Sequence, residues 1–312
     1  AMQRFCIFLD VACITCLVLA HLDPDWLPIG GVRDCLARVP VLLVGCVFYG
    51  TMESSVGSFF QSEACQMDTR LHRGDEDSFQ LSGDFFRLAN PLTIVLWTPF
   101  LIKVVFPKVT KLIGHEPTAG AKVCFGYLFA LLSQLTALLL EWKRRNSSVS
   151  GVPSRCAPIL PDGSHVLSSE MSALWMLLPF AISGMGEILV YPVLMHVAYD
   201  AAPPEMKSLM QAFTLFSLGA LSNATAAGVS QAVGPLVPNN LNDGNLCLVY
   251  LINITIGISG LVLFIFTWRR TRKYQQAACH DTLEETALRS AMADIDLALD
   301  FEHATKIGAP AE

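Results

Sequence analysis

The chain has 312 residues, 53% of them hydrophobic and 15% charged, with a formal net charge of −6 and a mean hydropathy of +0.47. So little charge, with several nearly uncharged windows of about 20 residues, excludes a soluble globular fold and makes the lipid bilayer the solvent of a polytopic membrane protein. The acids collect in loops and near the C-terminus, and no basic stripe marks a nucleic-acid partner.

Residues 5–22, FCIFLDVACITCLVLAHL, form an apolar run interrupted by Asp10. Hydropathy permits a short spanning helix, but the length is marginal and better suits a helix lying along the membrane. Cys13 and Cys16 form a C-x-x-C inside this run without a βαβ context, so they read as small apolar-environment residues. The ten cysteines as a set lack the paired spacings of a zinc site or a disulfide scaffold. The start, Ala1-Met2, carries no signal-peptide pattern, as expected of a fragment or a truncated gene product. Asp23–Pro28 is a turn-rich break, and residues 1–37 read as a linker.

Six spans follow, over about 38–61, 90–107, 123–140, 173–199, 209–233 and 246–267. Arg38-Val39-Pro40 opens the first, which carries Glu53. Asn90-Pro91 opens the second, with Pro99 inside it, as membrane helices tolerate. Between spans lie an acidic polar stretch (62–87), a basic loop (108–122), a Ser/Pro/Gly-rich loop (146–169) and an Asn-rich loop (238–245). Asn146-Ser147-Ser148 in an outer loop is a glycosylation acceptor, whereas the sequons at Asn223 and Asn253 lie inside spans. Arg269–Lys273 closes the last span. The acidic tail, 274–312, has Leu283, Ala287, Leu288, Met292, Ile295 and Leu299 at helical spacing and reads as a cytoplasmic amphipathic helix or a partly disordered segment.

Arg33, Arg38, the 108–122 loop, Lys207 and Arg269–Lys273 fall on one side of a six-span topology, with Lys143–Arg145 the exception. The positive-inside rule therefore predicts a multi-pass protein with both termini cytoplasmic, in the plasma membrane or an organelle membrane alike.

Glu53 and Glu187 are each the lone acid in an apolar span. A carboxylate at mid-membrane costs about 2.5–3.5 kcal/mol, so such residues usually face a cavity. Desolvation favours the protonated form of a carboxylate and a nearby cation the ionised form, so a glutamate alternating between occluded and wet surroundings exchanges a proton. When ionised, it can pair with a substrate ammonium. The bland alternative is a glutamate hydrogen-bonded to a neighbouring helix for packing alone. Tyr191 and Met195 follow Glu187 at i+4 and i+8 and share its face, and Pro192 removes an amide donor. His196 is titratable, although a lone histidine on such a helix is more often a packing residue. Asn90 is either a helix N-cap or a substrate contact, and Phe213 in LMQAFTLF is by default a core residue. No phosphate loop, H-E-x-x-H or nucleophile–base set is present, so the chain is not read as an enzyme.

Several motifs stand in a fixed order: FLDVA at 8–12, RVPVLLVGCVFYGTMESSVGSFFQ at 38–61, QMD at 66–68, FRLANPLTIVLWTPFLIKVVFP at 86–107, GHE at 114–116, SGMGEILVYPVLMHVAYDAAPPEMKS at 183–208 and PNNLNDGNL at 238–246. Together they resemble the proton-coupled oligopeptide and plant nitrate/peptide transporters of the major facilitator superfamily, helices seven to twelve with the linker before them. The resemblance implies an all-α membrane protein, a six-helix bundle that is the C-terminal half of a carrier. It implies proton-coupled transport of small peptides or nitrate-like solutes, driven by the proton gradient without a cofactor. By the same resemblance Glu53 participates in proton coupling, Glu187 grips the amino terminus of a peptide, Asn90 contacts the substrate and Phe213 lines its pocket. From its burial Glu187 is also read as a proton-coupling residue, and Tyr191 and His196 on its helix as substrate-binding candidates.

Ser54-Ser55 replace the usual pair of glutamines, with one residue inserted before Gly57-Ser58, and His196 stands where many members have Glu or Ser. The first-half motif E-x-x-E-R-F does not occur. Substrate sites in this superfamily lie between two six-helix halves. This chain is therefore expected to need a missing N-terminal half or a second copy of itself. The alternative is a half-carrier remnant or scaffold that does not transport.

Overall fold

The computed structural model describes residues 30–71, 78–160 and 162–272. The 5–22 run with its Cys13/Cys16 pair, the 23–28 break, the centre of the acidic loop and the 281–301 tail lie outside them. The chain divides into two units, 1–267 and 268–312. Of the second, only the helical residues 268–272 are described.

Among the described residues, six helices are long and apolar enough to cross a bilayer. They are α1 (Gly30–Cys65), α2 (Gly83–Ile113), α3 (Ala119–Arg145), α4 (Ala173–Asp200), α5 (Lys207–Leu236) and α6 (Leu246–Arg272). The helix containing the first span is already formed at Gly30, so Pro40 sits inside α1 and does not open it. One missing amide is a loss that a helix within a bundle tolerates. α1 and α3 also outrun their apolar windows, because the charged residues at their ends are buried, Glu141 against Arg144 and Glu63 against the Tyr250 hydroxyl. Glu63, Glu141 and Arg144 are all inside the protein.

α1 is the central helix. Leu42, Cys46, Tyr49, Met52 and Phe60 are almost fully buried along it, whereas α2 buries only 6% of its apolar window. Leu92, Val95 and Leu96 of α2 are exposed, as are Phe125, Leu132 and Leu139 of α3. Outward apolar faces of this kind suit a hydrocarbon solvent, in which helices associate by close packing and not by hiding apolar surface. Small residues provide that packing. A Cβ on Gly126 of α3 or Gly186 of α4 would sit 2.9 Å from the other's carbonyl oxygen. α2 widens into a π turn at Leu101–Val105, two residues after Pro99, and α5 does so at Ser217–Leu221. Gly114 ends α2 with φ of 83° and its amide donating to the Thr110 carbonyl, so the GHE echo contains a helix stop.

At one end of the bundle the motifs meet. The Gln66 side chain donates to the Asn239 carbonyl (2.7 Å) and accepts from the Leu241 amide (3.0 Å), tying QMD to PNNLNDGNL. Glu141 receives Arg144 at 2.6 and 2.9 Å and Arg145 at 2.7 Å. Arg145 also donates to the Leu241 and Gly244 carbonyls, and Arg144 to Asn242. Tyr250 donates to Glu63 at 2.5 Å. The 146–169 stretch, expected as plain loop, contains two antiparallel strands, β1 (Val149–Pro153) and β2 (Leu167–Ser169). The cysteine expectation is corrected as well: Cys65 at the end of α1 is joined to Cys156 by a disulfide. Their separation of 91 residues leaves no spacing pattern to read.

Candidate functional site

Five residues of α4, Ser183-Gly184-Met185-Gly186-Glu187, organise the site. Ser183 is buried and its hydroxyl donates to both carboxylate oxygens of Glu53 on α1, at 2.6 and 2.8 Å. Gly184 lets α2 come close, since a Cβ there would lie 2.7 Å from the Asn90 carbonyl oxygen. That approach brings the Asn90 amide to Glu187, where it donates to Oε1 at 2.5 Å. Gly186 faces α3 and also accommodates the Tyr49 hydroxyl, 2.8 Å from where its Cβ would stand. One short segment thus fixes three helices around two carboxylates.

Glu53 and Glu187 open on the same cavity, of about 560 Å³. Its wall includes Ser54, Gly57 and Gln61 of α1, Arg87, Asn90 and Pro91 of α2, Phe180 of α4 and Asn223 of α5. Both acids are half-buried. A carboxylate held by one hydroxyl or one amide, with open space beside it, keeps lone pairs for a proton or a cationic group. Asn90 lies within continuous helix and makes no cap; Leu88 precedes Ala89–Phe100 without a side-chain cap bond. The capping alternative is therefore set aside.

Three other candidates are placed elsewhere. Tyr191, one turn beyond Glu187, packs its ring edge-on against Tyr49 at 5.3 Å, and Tyr49 does the same with Tyr127 at 5.4 Å. His196 turns to Asp200 on its own helix, with Nε2 3.2 Å from Oδ2 and both side chains largely exposed. Phe213 is half-buried on α5 and, like the other two, is not part of the cavity wall.

Two further residues of the wall, Arg87 and Asn223, carry no site signal of their own in the sequence pattern. By composition Arg87 ends a polar stretch, but α2 starts at Gly83 and places it in the cavity wall. Its position three residues before Asn90, hence on the same helix face, was the available signal. Asn223 accepts a hydrogen bond from Ser54 at 2.7 Å. In sequence it is one polar residue in a run of small ones.

The POT family profile (PTR2) matches residues 29–239. Among curated proteins the chain is similar to Protein NRT1/PTR FAMILY 2.7 of Arabidopsis thaliana, 25% identical over 233 residues, 73% of this chain and 39% of the relative. It is also similar to Peptide transporter PTR2 of Candida albicans, 29% identical over 184 residues, 58% of this chain and 26% of the relative. Of solved structures, the POT family transporter PepTSo aligns over 78% of this chain and 43% of its own, with TM-score 0.55 and 21% identity. A peptide transporter POT in complex with sulfate aligns over 87% and 46%, with TM-score 0.56 and 20% identity. The chain spans two fifths or less of these curated relatives' length. The fold is that of these major facilitator transporters, and these relatives are transporters, not enzymes. With the profile running across the helices that carry Glu53, Asn90 and Glu187, the chain belongs to the POT family.

Proposed function

We propose that this chain forms one wall of the substrate cavity of a proton-coupled symporter for small peptides or nitrate-like solutes. Glu53 carries the coupling proton. Glu187, oriented by Asn90, receives the polar head of the substrate. The observation that carries this reading is the meeting of two carboxylates from α1 and α4 in a single cavity with Asn90 and Arg87. Carboxylates in apolar helices are costly unless they serve a water-filled path. The opposite wall comes from a six-helix N-terminal half or a second copy, as alternating access around a midplane site requires two facing bundles.

Both termini are assigned to the cytoplasm. The Cys65–Cys156 disulfide lies at the bundle end opposite the basic loops and fits an oxidising compartment. Of the charge exception, Lys143–Arg145, the two arginines are accounted for by their bonds to Glu141 and the 241–244 loop.

The test is uptake of labelled dipeptides and of nitrate into proteoliposomes under an imposed proton gradient. The chain is reconstituted alone and together with the first six helices of a POT relative. Glu187→Gln should reduce gradient-driven uptake at least tenfold with membrane insertion unchanged, the cost of losing one charge-assisted contact. Unchanged uptake in that variant rejects the role of Glu187. No uptake in either preparation supports a scaffold instead.

A further inference from the structure

We infer that Arg87 is a specificity-determining residue of this cavity, receiving a planar oxyanion: the terminal carboxylate of a short peptide, or nitrate. The inference rests on the cavity being the substrate site proposed above.

The polar groups of the wall are not equally committed. Ser183 is spent on Glu53, the Asn90 amide on Glu187, and Ser54 on Asn223. Arg87 has no ion pair or side-chain hydrogen bond among the described residues, and its side chain is exposed to the cavity. It is also held in a defined pose. Cζ, Nη1 and Nη2 all lie 3.7 Å from the point a Cβ on Gly57 would occupy, so the guanidinium lies flat over the α1 backbone. A guanidinium fixed by its face keeps its in-plane N–H donors free, the fork that matches a carboxylate or nitrate in two parallel hydrogen bonds.

Charge and length agree with a two-ended ligand. The described wall offers two carboxylates and one cation; with Glu53 carrying its proton, one carboxylate and one cation remain, which a zwitterion complements. Arg87 and Asn90 stand three residues apart on one helix, their Cβ atoms about 5–6 Å from each other. An extended dipeptide is about 7 Å long. With its ammonium at Glu187, its carboxylate is left for the Arg87 fork on the same wall.

The experiment measures binding to the purified whole chain, in detergent, of Ala-Ala, of Ala-Ala amide, which lacks the carboxylate, and of sodium nitrate against sodium chloride. The unmodified protein should prefer Ala-Ala to its amide, or nitrate to chloride, by about 10- to 100-fold, the range of a charge-assisted hydrogen-bond pair. Arg87→Gln should bring that ratio to about 1, and Arg87→Lys, which keeps the charge without the planar fork, should leave an intermediate ratio. The first comparison separates peptide from nitrate as the source of the oxyanion. A ratio near 1 in the unmodified protein, or a ratio kept in Arg87→Gln, overturns the inference while the cavity's role as substrate site stands. Absence of binding by every probe overturns both.

Discussion

Serine, glycine and glutamate within five residues of α4 do three different jobs at the site. The hydroxyl of Ser183 holds Glu53, the bare backbone of Gly184 admits α2, and Glu187 faces the cavity beside Asn90. Glu53, Asn90 and Glu187 were legible in the sequence because a polar group in an apolar helix needs a reason to be there. Arg87 was not, because hydropathy places the helix start after it. Nor was Asn223. Tyr191, His196 and Phe213 illustrate a different limit: helical spacing gives a face, not what packs on that face. Tyr49 takes Tyr191, and Asp200 takes His196. The residue that most sharply tests this geometry is Gly184. Gly184→Val should push α2 from α4, break the Asn90–Glu187 bond and weaken ligand binding about tenfold or more. Helicity measured by circular dichroism should be unchanged. Unaltered binding in a folded Gly184→Val protein would show that the close approach does not set the site.

At the level of elements, hydropathy located the six helices but not their ends. Windows stop at Gln61 and Leu140, yet the helices continue: Glu141 is held by Arg144 and Arg145, and Glu63 accepts from the Tyr250 hydroxyl inside the protein. The π turns near Pro99 and Gly219 left no sequence mark beyond the proline and glycine themselves. The strands β1 and β2 were missed because a Ser/Gly/Pro-rich composition reads as loop, while their pairing, Val149 with Ser169 and Pro153 with Leu167, is a tertiary fact. The QMD and PNNLNDGNL motifs turn out to be partners across 175 residues. Gln66→Ala removes both bonds and leaves the buried Leu241 amide without its partner, which should lower stability by about 2 kcal/mol. Thermal unfolding in detergent measures this. A melting temperature equal to that of the unmodified protein would make the Gln66 bridge incidental.

For the molecule as a whole, the account requires one water-facing cavity inside a set of helices that otherwise meet lipid. Leu96 and Leu139 are 71% and 55% exposed on the outer faces of α2 and α3, while Glu53, Asn90 and Glu187 open inward. That contrast is measurable by replacing each of these five positions with cysteine, one at a time. The other cysteines, apart from Cys65 and Cys156, are changed to serine. A small charged thiol reagent, which reacts only where water reaches, is then applied to the protein in liposomes. Cysteines at 53, 90 and 187 should be modified, with dipeptide or nitrate slowing the reaction, and cysteines at 96 and 139 should not react. Reaction at the two outer positions with none at the three inner ones would contradict the account.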